Sequence, residues 1–223
     1  MAITKKATSK SKPLDENQLI SRYMQAVLES NETPKNVFSF CKQQELDETE
    51  FYAHFNSLDA LRQNIWVKFF ENAVDTIEKE PDFAGYSDKN KLLTLFFTLF
   101  EILTLNRSYV SFALVENKAG LKNLESLKVF RQEFKKYMEQ VVISPQTGSF
   151  EKVAKATEKV YAEGAWIQFM FLLKFWLDDT SKGFEKTDIL IEKSVNTVVD
   201  LADTKPLESL FDLGKFLWKE KMQ

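Results

Sequence analysis

Two stretches constrain the fold more than anything else in the chain: "KLLTLFFTLFEILTL", residues 91–105, and "WIQFMFLLKFW", residues 166–176. Wound at helical pitch, each is apolar nearly all round, so each belongs in the middle of a helical domain with neighbours on every side. Neither forms an uninterrupted apolar run of membrane-spanning length. Phe96, Phe97, Phe100, Phe112, Trp166, Phe169, Met170, Leu173 and Trp176 are then candidates for the wall of a ligand cavity in this domain. The alternative is a solid core, because apolar stripes at helical spacing are ordinary packing. With 6 Gly and 5 Pro in 223 residues, the chain has too few turn residues for a fold built of many hairpins. The expectation is an all-α protein of about nine helices.

The helices can be followed along the chain from their caps. Residues 1–13, "MAITKKATSKSKP", form a basic tail with too little apolar surface to bury, and are expected to be disordered. Next, "LDENQLISRYMQAVLES" places Leu19, Ile20, Tyr23, Met24, Val27 and Leu28 on one face, with Asp15 and Gln18 spaced as a capping box. A second, short helix is expected from "TPKNVFSFCKQQ", with Thr33 as N-cap, Pro34 in the first helical position and Val37, Phe40 and Cys41 facing inward. Asp47 and Glu50 repeat the capping-box spacing before a very short third helix whose inward residues would be Phe51, Tyr52 and Phe55. Ser57 caps a long fourth helix carrying Leu58, Leu61, Ile65, Phe69 and Ile77, which ends near Pro81. This gives a small domain over 14–70 and a larger one over 71–223, the latter with helix breaks at Gly120, Pro145 to Gly148, Gly183 and Pro206.

The chemistry available is narrow. A net charge of −3 predicts no general attraction for nucleic acid, so any DNA contact must be local. Cys41 and His54 are single residues of their types, which removes intrachain disulfides and zinc sites of the usual spacing. Cys41 reads as a buried, inert thiol. With no phosphate loop, metal spacing or nucleophile elbow, no catalytic residue, metal site or cofactor is implied. Glu101 and Glu163 sit among apolar residues and would have raised pKa values if buried. Without a signal-peptide core or membrane span the expected location is the cytoplasm, with no stable membrane insertion.

Three short helices followed by a long one make a helix-turn-helix pattern, in which the second helix of the motif enters the major groove. "FYAHFNSLDAL", Phe51 to Leu61, resembles the signature of the tetracycline-repressor family: an aromatic residue, Tyr, any residue, His, Phe, a short spacer, Ser, Lys, an acidic residue and Leu. The resemblance implies a homodimer of all-α subunits, each with a small DNA-binding domain and a larger domain for ligand binding and dimerisation. It also implies that Tyr52 and His54 touch phosphates, and it makes Lys35, Lys42, Thr49, Tyr52, His54 and Ser57 the candidate DNA-binding set. Two departures stand out. Leu58 occupies the signature's lysine position, and "QQE", Gln43 to Glu45, replaces the small-residue and glycine turn before the reading helix. That helix, "DETEFYAHF", contains no Lys or Arg. At a separation of about 7 Å and an effective dielectric near ~40, each carboxylate facing a phosphate costs roughly 1 kcal/mol. DNA affinity is therefore expected to be weakened, with Lys35, Lys42 and the tail lysines offsetting part of the loss.

A second stretch, "DTSKGFEKTDILIEKSV", Asp179 to Val195, is similar to a segment of the lipid-binding accessory proteins of ubiquinone biosynthesis. Those proteins share the repressor fold without acting as repressors. The shared positions are Asp179, Ser181, Gly183, Phe184, Thr187 and Leu190, with Lys193 in place of Arg. Asp179 and Ser181 would cap or terminate the helices flanking the Gly183 break. Finally, "PLESLFDLGKFLWKEKM" presents Leu207, Leu210, Phe211, Leu213, Phe216, Leu217 and Trp218 on one broad face, suited to pairing with a twofold mate or to touching a membrane or partner. The leading expectation is a dimeric transcriptional regulator that responds to an apolar or amphipathic small molecule. Its rival is a lipid- or isoprenoid-binding protein of the same fold that has lost DNA binding.

Overall fold

A computed structural model describes residues 14–115, 125–142 and 151–202. All regular structure among them is helical, with nine α-helices: α1 (Glu16–Ser30), α2 (Val37–Gln43), α3 (Glu48–Tyr52), α4 (Leu58–Ile77), α5 (Asp88–Leu105), α6 (Arg107–Val115), α7 (Lys128–Tyr137), α8 (Glu151–Asp178) and α9 (Glu185–Ala202). Short 3-10 turns lie at Phe83–Gly85, Glu125–Leu127 and Lys182–Phe184, and a π-helical turn, Met138–Val142, follows α7. The basic tail, the breaks at Gly120, Pro145 to Gly148 and Pro206, and the apolar segment after Pro206 lie outside the described residues.

The chain forms two compact units. Among the described residues, one comprises those through Trp66 together with those between Asn106 and Lys128; the other comprises Val67–Leu105 and those from Val129 onward. The single helix α4 supplies both. In the first unit α6 packs on α1, burying Tyr109, Val110 and Leu114. In the second, α5 and α8 both pack on α9.

Capping chemistry sets the helix starts in the first unit. At α1, Gln18 N–H donates to the Asp15 carboxylate at 2.8 Å and Asp15 N–H donates back to Gln18 Oε1 at 3.1 Å. At α3, Glu50 accepts from Asp47 N–H at 3.1 Å while Asp47 accepts from Thr49 N–H at 3.0 Å. Ser57 caps α4 by accepting from Ala60 N–H at 3.1 Å. At α2 the sequence expectation is corrected. The N-cap is Asn36, whose side chain accepts from Ser39 N–H at 2.8 Å, and neither Thr33 nor Pro34 is in the helix. An Asn side chain that reaches the N–H three residues on satisfies an orphan donor that Thr33 is too far away to reach. Inward faces are corrected at two positions: Leu28 is 42% and Tyr52 53% exposed.

Candidate functional site

Within the first unit, α1, α2 and α3 form a head closed by aromatic contacts. Phe40 stands edge-on to Tyr23 and to Phe51, with ring centroids 5.7 and 6.1 Å apart, and Phe51 contacts Phe55 at 6.2 Å. The turn between α2 and α3 is held by Leu46 N–H donating to the Cys41 carbonyl at 2.9 Å and by Arg22 on α1 donating to the Gln44 carbonyl at 3.2 Å. Glu45 occupies the left-handed region here, with φ 54°, a conformation that favours glycine. With Glu in this region the turn carries some backbone strain.

Five of the six candidate DNA-binding residues are exposed and Ser57 is half-buried. Lys42 is in the last turn of α2, Lys35 precedes that helix, and Tyr52 ends α3. His54 Nε2 lies 2.8 Å from the Leu14 carbonyl oxygen, which fixes the ring against the start of the described chain. Thr49 and Ser57 spend their hydroxyls locally: Thr49 Oγ1 donates to Asp47 at 3.0 Å, and Ser57 caps α4. The carboxylates of Asp47 and Glu50 are likewise engaged in capping α3, while keeping their charge. That charge reaches Cys41, whose thiol is pushed up by burial and then by Glu48, Asp47 and Glu50. Because the thiolate is the reactive form, Cys41 in the folded protein should react with a disulfide reagent at pH 8 at least about tenfold more slowly than in urea, as followed by thiolate release. Equal rates would contradict this burial.

A cleft of about 280 Å³ within the same unit is lined by Tyr23, Arg62, Trp66, Tyr109 and Phe112 among others. Phe112, expected in the ligand cavity, belongs to the first unit and lines this cleft.

In the second unit most of the expected cavity wall is packed ring against ring. Phe134 contacts Phe70, Phe96, Phe130, Trp166 and Phe169, all at centroid distances between 5.7 and 6.4 Å. Phe96, Phe169, Leu173 and Trp176 are fully buried, Trp166 is buried and Met170 is half-buried. Phe70, Phe130 and Phe134 are central here, yet they were absent from the sequence-derived set. The i, i+4 spacing of Phe130 and Phe134 was the available signal.

The expected residues Phe97, Phe100 and Trp176 do line an open cleft of about 290 Å³, with Glu101, Thr104 and Leu105 from α5, Gly183 and Phe184 from the α8–α9 corner, and Thr187 and Asp188 from α9. Trp176 Nε1 donates to Thr104 Oγ1 at 3.1 Å, which orients the indole. The corner is built on Asp179. This buried carboxylate accepts Ser181 N–H and Oγ–H at 2.8 and 2.7 Å on one oxygen, and Thr187 N–H and Oγ1–H at 3.0 and 2.7 Å on the other. Burial alone would raise its pKa, but the bonds from Ser181 and Thr187 outweigh burial and hold it at about 2. Gly183 and Phe184 are both left-handed, at φ 63° and 64°. Asp179, Ser181, Gly183, Phe184 and Thr187, noted in the sequence as one shared pattern, thus have a common local role in forming this turn.

The expectation for Glu163 is corrected. It is half-exposed and bonded to Lys135 and to Arg131, the latter at 2.8 Å, and these cations, Lys135 first, hold its pKa below the usual carboxylate value. Glu101 is exposed. Among the described residues no helix is long and apolar enough to cross a membrane.

No curated protein matches the chain. The sequence model of a protein family described as "Tetracyclin repressor-like, C-terminal domain" matches residues 91–217, a span that begins in α5, includes most of the aromatic core and the Asp179 corner, and covers more than half of the chain. With that match added to the helix-turn-helix head and the all-helical architecture, the chain belongs to the tetracycline-repressor family.

Proposed function

We propose that the protein is a homodimeric transcriptional regulator. It binds DNA through its helix-turn-helix unit and responds to an apolar or amphipathic small molecule held in its second unit. The observation that carries the reading is a head presenting Lys35, Lys42, Tyr52 and His54 at its surface, on the same chain as a repressor-like C-terminal domain. The effector acts by binding one of two states of the dimer more tightly, since only a difference in affinity shifts an equilibrium.

Dimerisation is supported by α8. Val160, Ile167 and Phe171 are 51, 67 and 55% exposed, and with the exposed Gly164 they recur at helical spacing along one face. A monomer that left this stripe in water would carry an apolar patch of the kind that marks an interface. Replacing both Ile167 and Phe171 by Glu should convert the dimer to monomer at micromolar concentration in sedimentation experiments, with helical content retained. A dimer unaffected by both charges would rule out this face.

A second reading, a lipid-binding protein without DNA affinity, is favoured by one specific observation: α3 begins with Asp47, Glu48 and Glu50 and carries no cation. Glu48 separates the two. It takes no part in the α3 capping box, so Glu48→Lys removes one repulsion and adds one attraction. DNA affinity should rise by about tenfold at low salt, taking roughly 1 kcal/mol or more for the change. Anisotropy of a labelled duplex measures it, and an unchanged affinity would favour the second reading.

A further inference from the structure

The aromatic cleft at the end of α5 has a charge pattern that selects its ligand. Four rings line it: Phe97, which is 38% exposed, and Phe184, which is half-buried, while Phe100 and Trp176 are buried. Two of these rings, Phe100 and Phe184, lie 6.2 and 6.0 Å from Trp176. The charged side chains lining the cleft are both carboxylates, Glu101 and Asp188, and no Lys, Arg or His joins them. We propose that this cleft binds a small organic cation with an apolar body, a quaternary or protonated amine. The inference rests on the proposal that the second unit holds the effector, and it specifies the chemistry of that effector.

Three features support a cation. Aromatic faces carry negative potential and attract an ammonium group lying within about 6 Å of a ring centroid. Trp176 is fully buried with its N–H donated to Thr104, so the rings with surface in the cleft are those of Phe97 and Phe184. The carboxylates supply long-range attraction, and an uncharged apolar guest would partly desolvate them without compensation. Partial burial, then Asp179 and Glu185, push the Asp188 pKa up, and a cation beside it would offset the repulsion from those two carboxylates. An anion would meet repulsion from every charged group in the lining.

The corner explains how the fourth ring is supplied. A bulky residue in the left-handed region is an outlier, and Phe184 is held there by the Asp179 bonds to Ser181 and Thr187 on either side of it. Such strain is maintained where the surrounding structure fixes it, and here it accompanies an aromatic side chain placed against Trp176. A volume of about 290 Å³ suits a single-ring amine better than a long-chain lipid, since it lies at the lower end of ligand sites.

The test is calorimetric titration of the full-length protein with three probes sharing one apolar body: 4-tert-butylbenzyltrimethylammonium, 4-tert-butylbenzyl alcohol and 4-tert-butylbenzoate. The cation should bind at least about tenfold more tightly than the alcohol, and the carboxylate should not bind. The double variant Glu101→Gln, Asp188→Asn should lose about tenfold or more in cation affinity while leaving the alcohol unchanged. Both residues are exposed, so folding should be preserved, and circular dichroism checks it. If the alcohol binds as well as the cation, or the double variant binds the cation as the native protein does, the cation proposal fails while the effector reading stands. If none of the three binds, the cleft holds no effector and both fail.

Discussion

Replacing Phe134 by alanine should lower the unfolding free energy by about 4 kcal/mol, the range found when a large aromatic is removed from a packed core. Phe134 is fully buried and contacts five other aromatic rings, contributed by α4, α5, α7 and α8. Its loss removes apolar burial and leaves a cavity that stiff neighbouring rings cannot easily fill. Phe97→Ala provides the contrast, because Phe97 is 38% exposed and should cost about 1 kcal/mol or less. Urea titration followed by circular dichroism compares the two. Equal losses would mean that the second unit is not organised around Phe134. An apolar compound that stabilises Phe134→Ala without stabilising the native protein has entered the new void.

Asp179→Asn should destabilise the protein by about 3 kcal/mol at neutral pH. The native carboxylate accepts two donors on each oxygen. An amide keeps one oxygen and turns an NH2 group toward the other pair. The Thr187 or Ser181 hydroxyl can rotate to accept from it, but the backbone N–H beside that hydroxyl cannot. A buried donor left unmet costs its full desolvation. The pH dependence has a definite sign. The folded pKa, about 2, lies below the ordinary value of 3.8, so the carboxylate contributes stability that is fully present above pH 4 and lost as pH falls through the folded value. The native protein's advantage over Asp179→Asn should therefore shrink between pH 4 and pH 2, as read from urea midpoints. An advantage that is constant over this window would contradict the network. A native protein no more stable than the variant at pH 7 would do the same.

The parts of the fold legible in the sequence are those governed by local rules. The capping boxes of Asp15 and Asp47, the Ser57 cap and the left-handed break at Gly183 are set by hydrogen bonds or backbone torsions within a few residues. The apolar periodicity of α4 likewise identified Leu58, Leu61, Ile65, Phe69 and Ile77 as buried. Thr33 failed as a cap because Asn36 competed for the same role three residues on, and preference scales rank the two residue types closely. Side-chain partners far apart in sequence were harder to read. Glu163 looked isolated among apolar neighbours, yet Lys135 and Arg131, about thirty residues away, approach it through the pairing of α7 with α8. For the same reason periodicity could nominate Phe96, Phe100 and Trp176 as inward-facing but could not divide them between a packed core and a cleft. That division depends on Phe130 and Phe134 arriving from α7 to fill the centre, and on Phe184 arriving from the corner to wall the edge. The conformation of Glu45 was hidden because a side chain other than glycine at φ 54° is uncommon and leaves no compositional trace.

The acidic reading helix remains the point on which the biology turns. Capping accounts for Asp47 and Glu50 in structural terms, so their presence is compatible with a head that binds DNA, whereas Glu48 has no such role in the α3 capping box. The most direct measurement is retention of sheared genomic DNA by the purified full-length protein across a salt series starting near 50 mM, with Glu48→Lys in parallel. The regulator account predicts that a restricted set of fragments is enriched at low salt, released progressively as salt rises, and held more strongly by Glu48→Lys. No retained fragment at the lowest salt, for either the native protein or the variant, would contradict it.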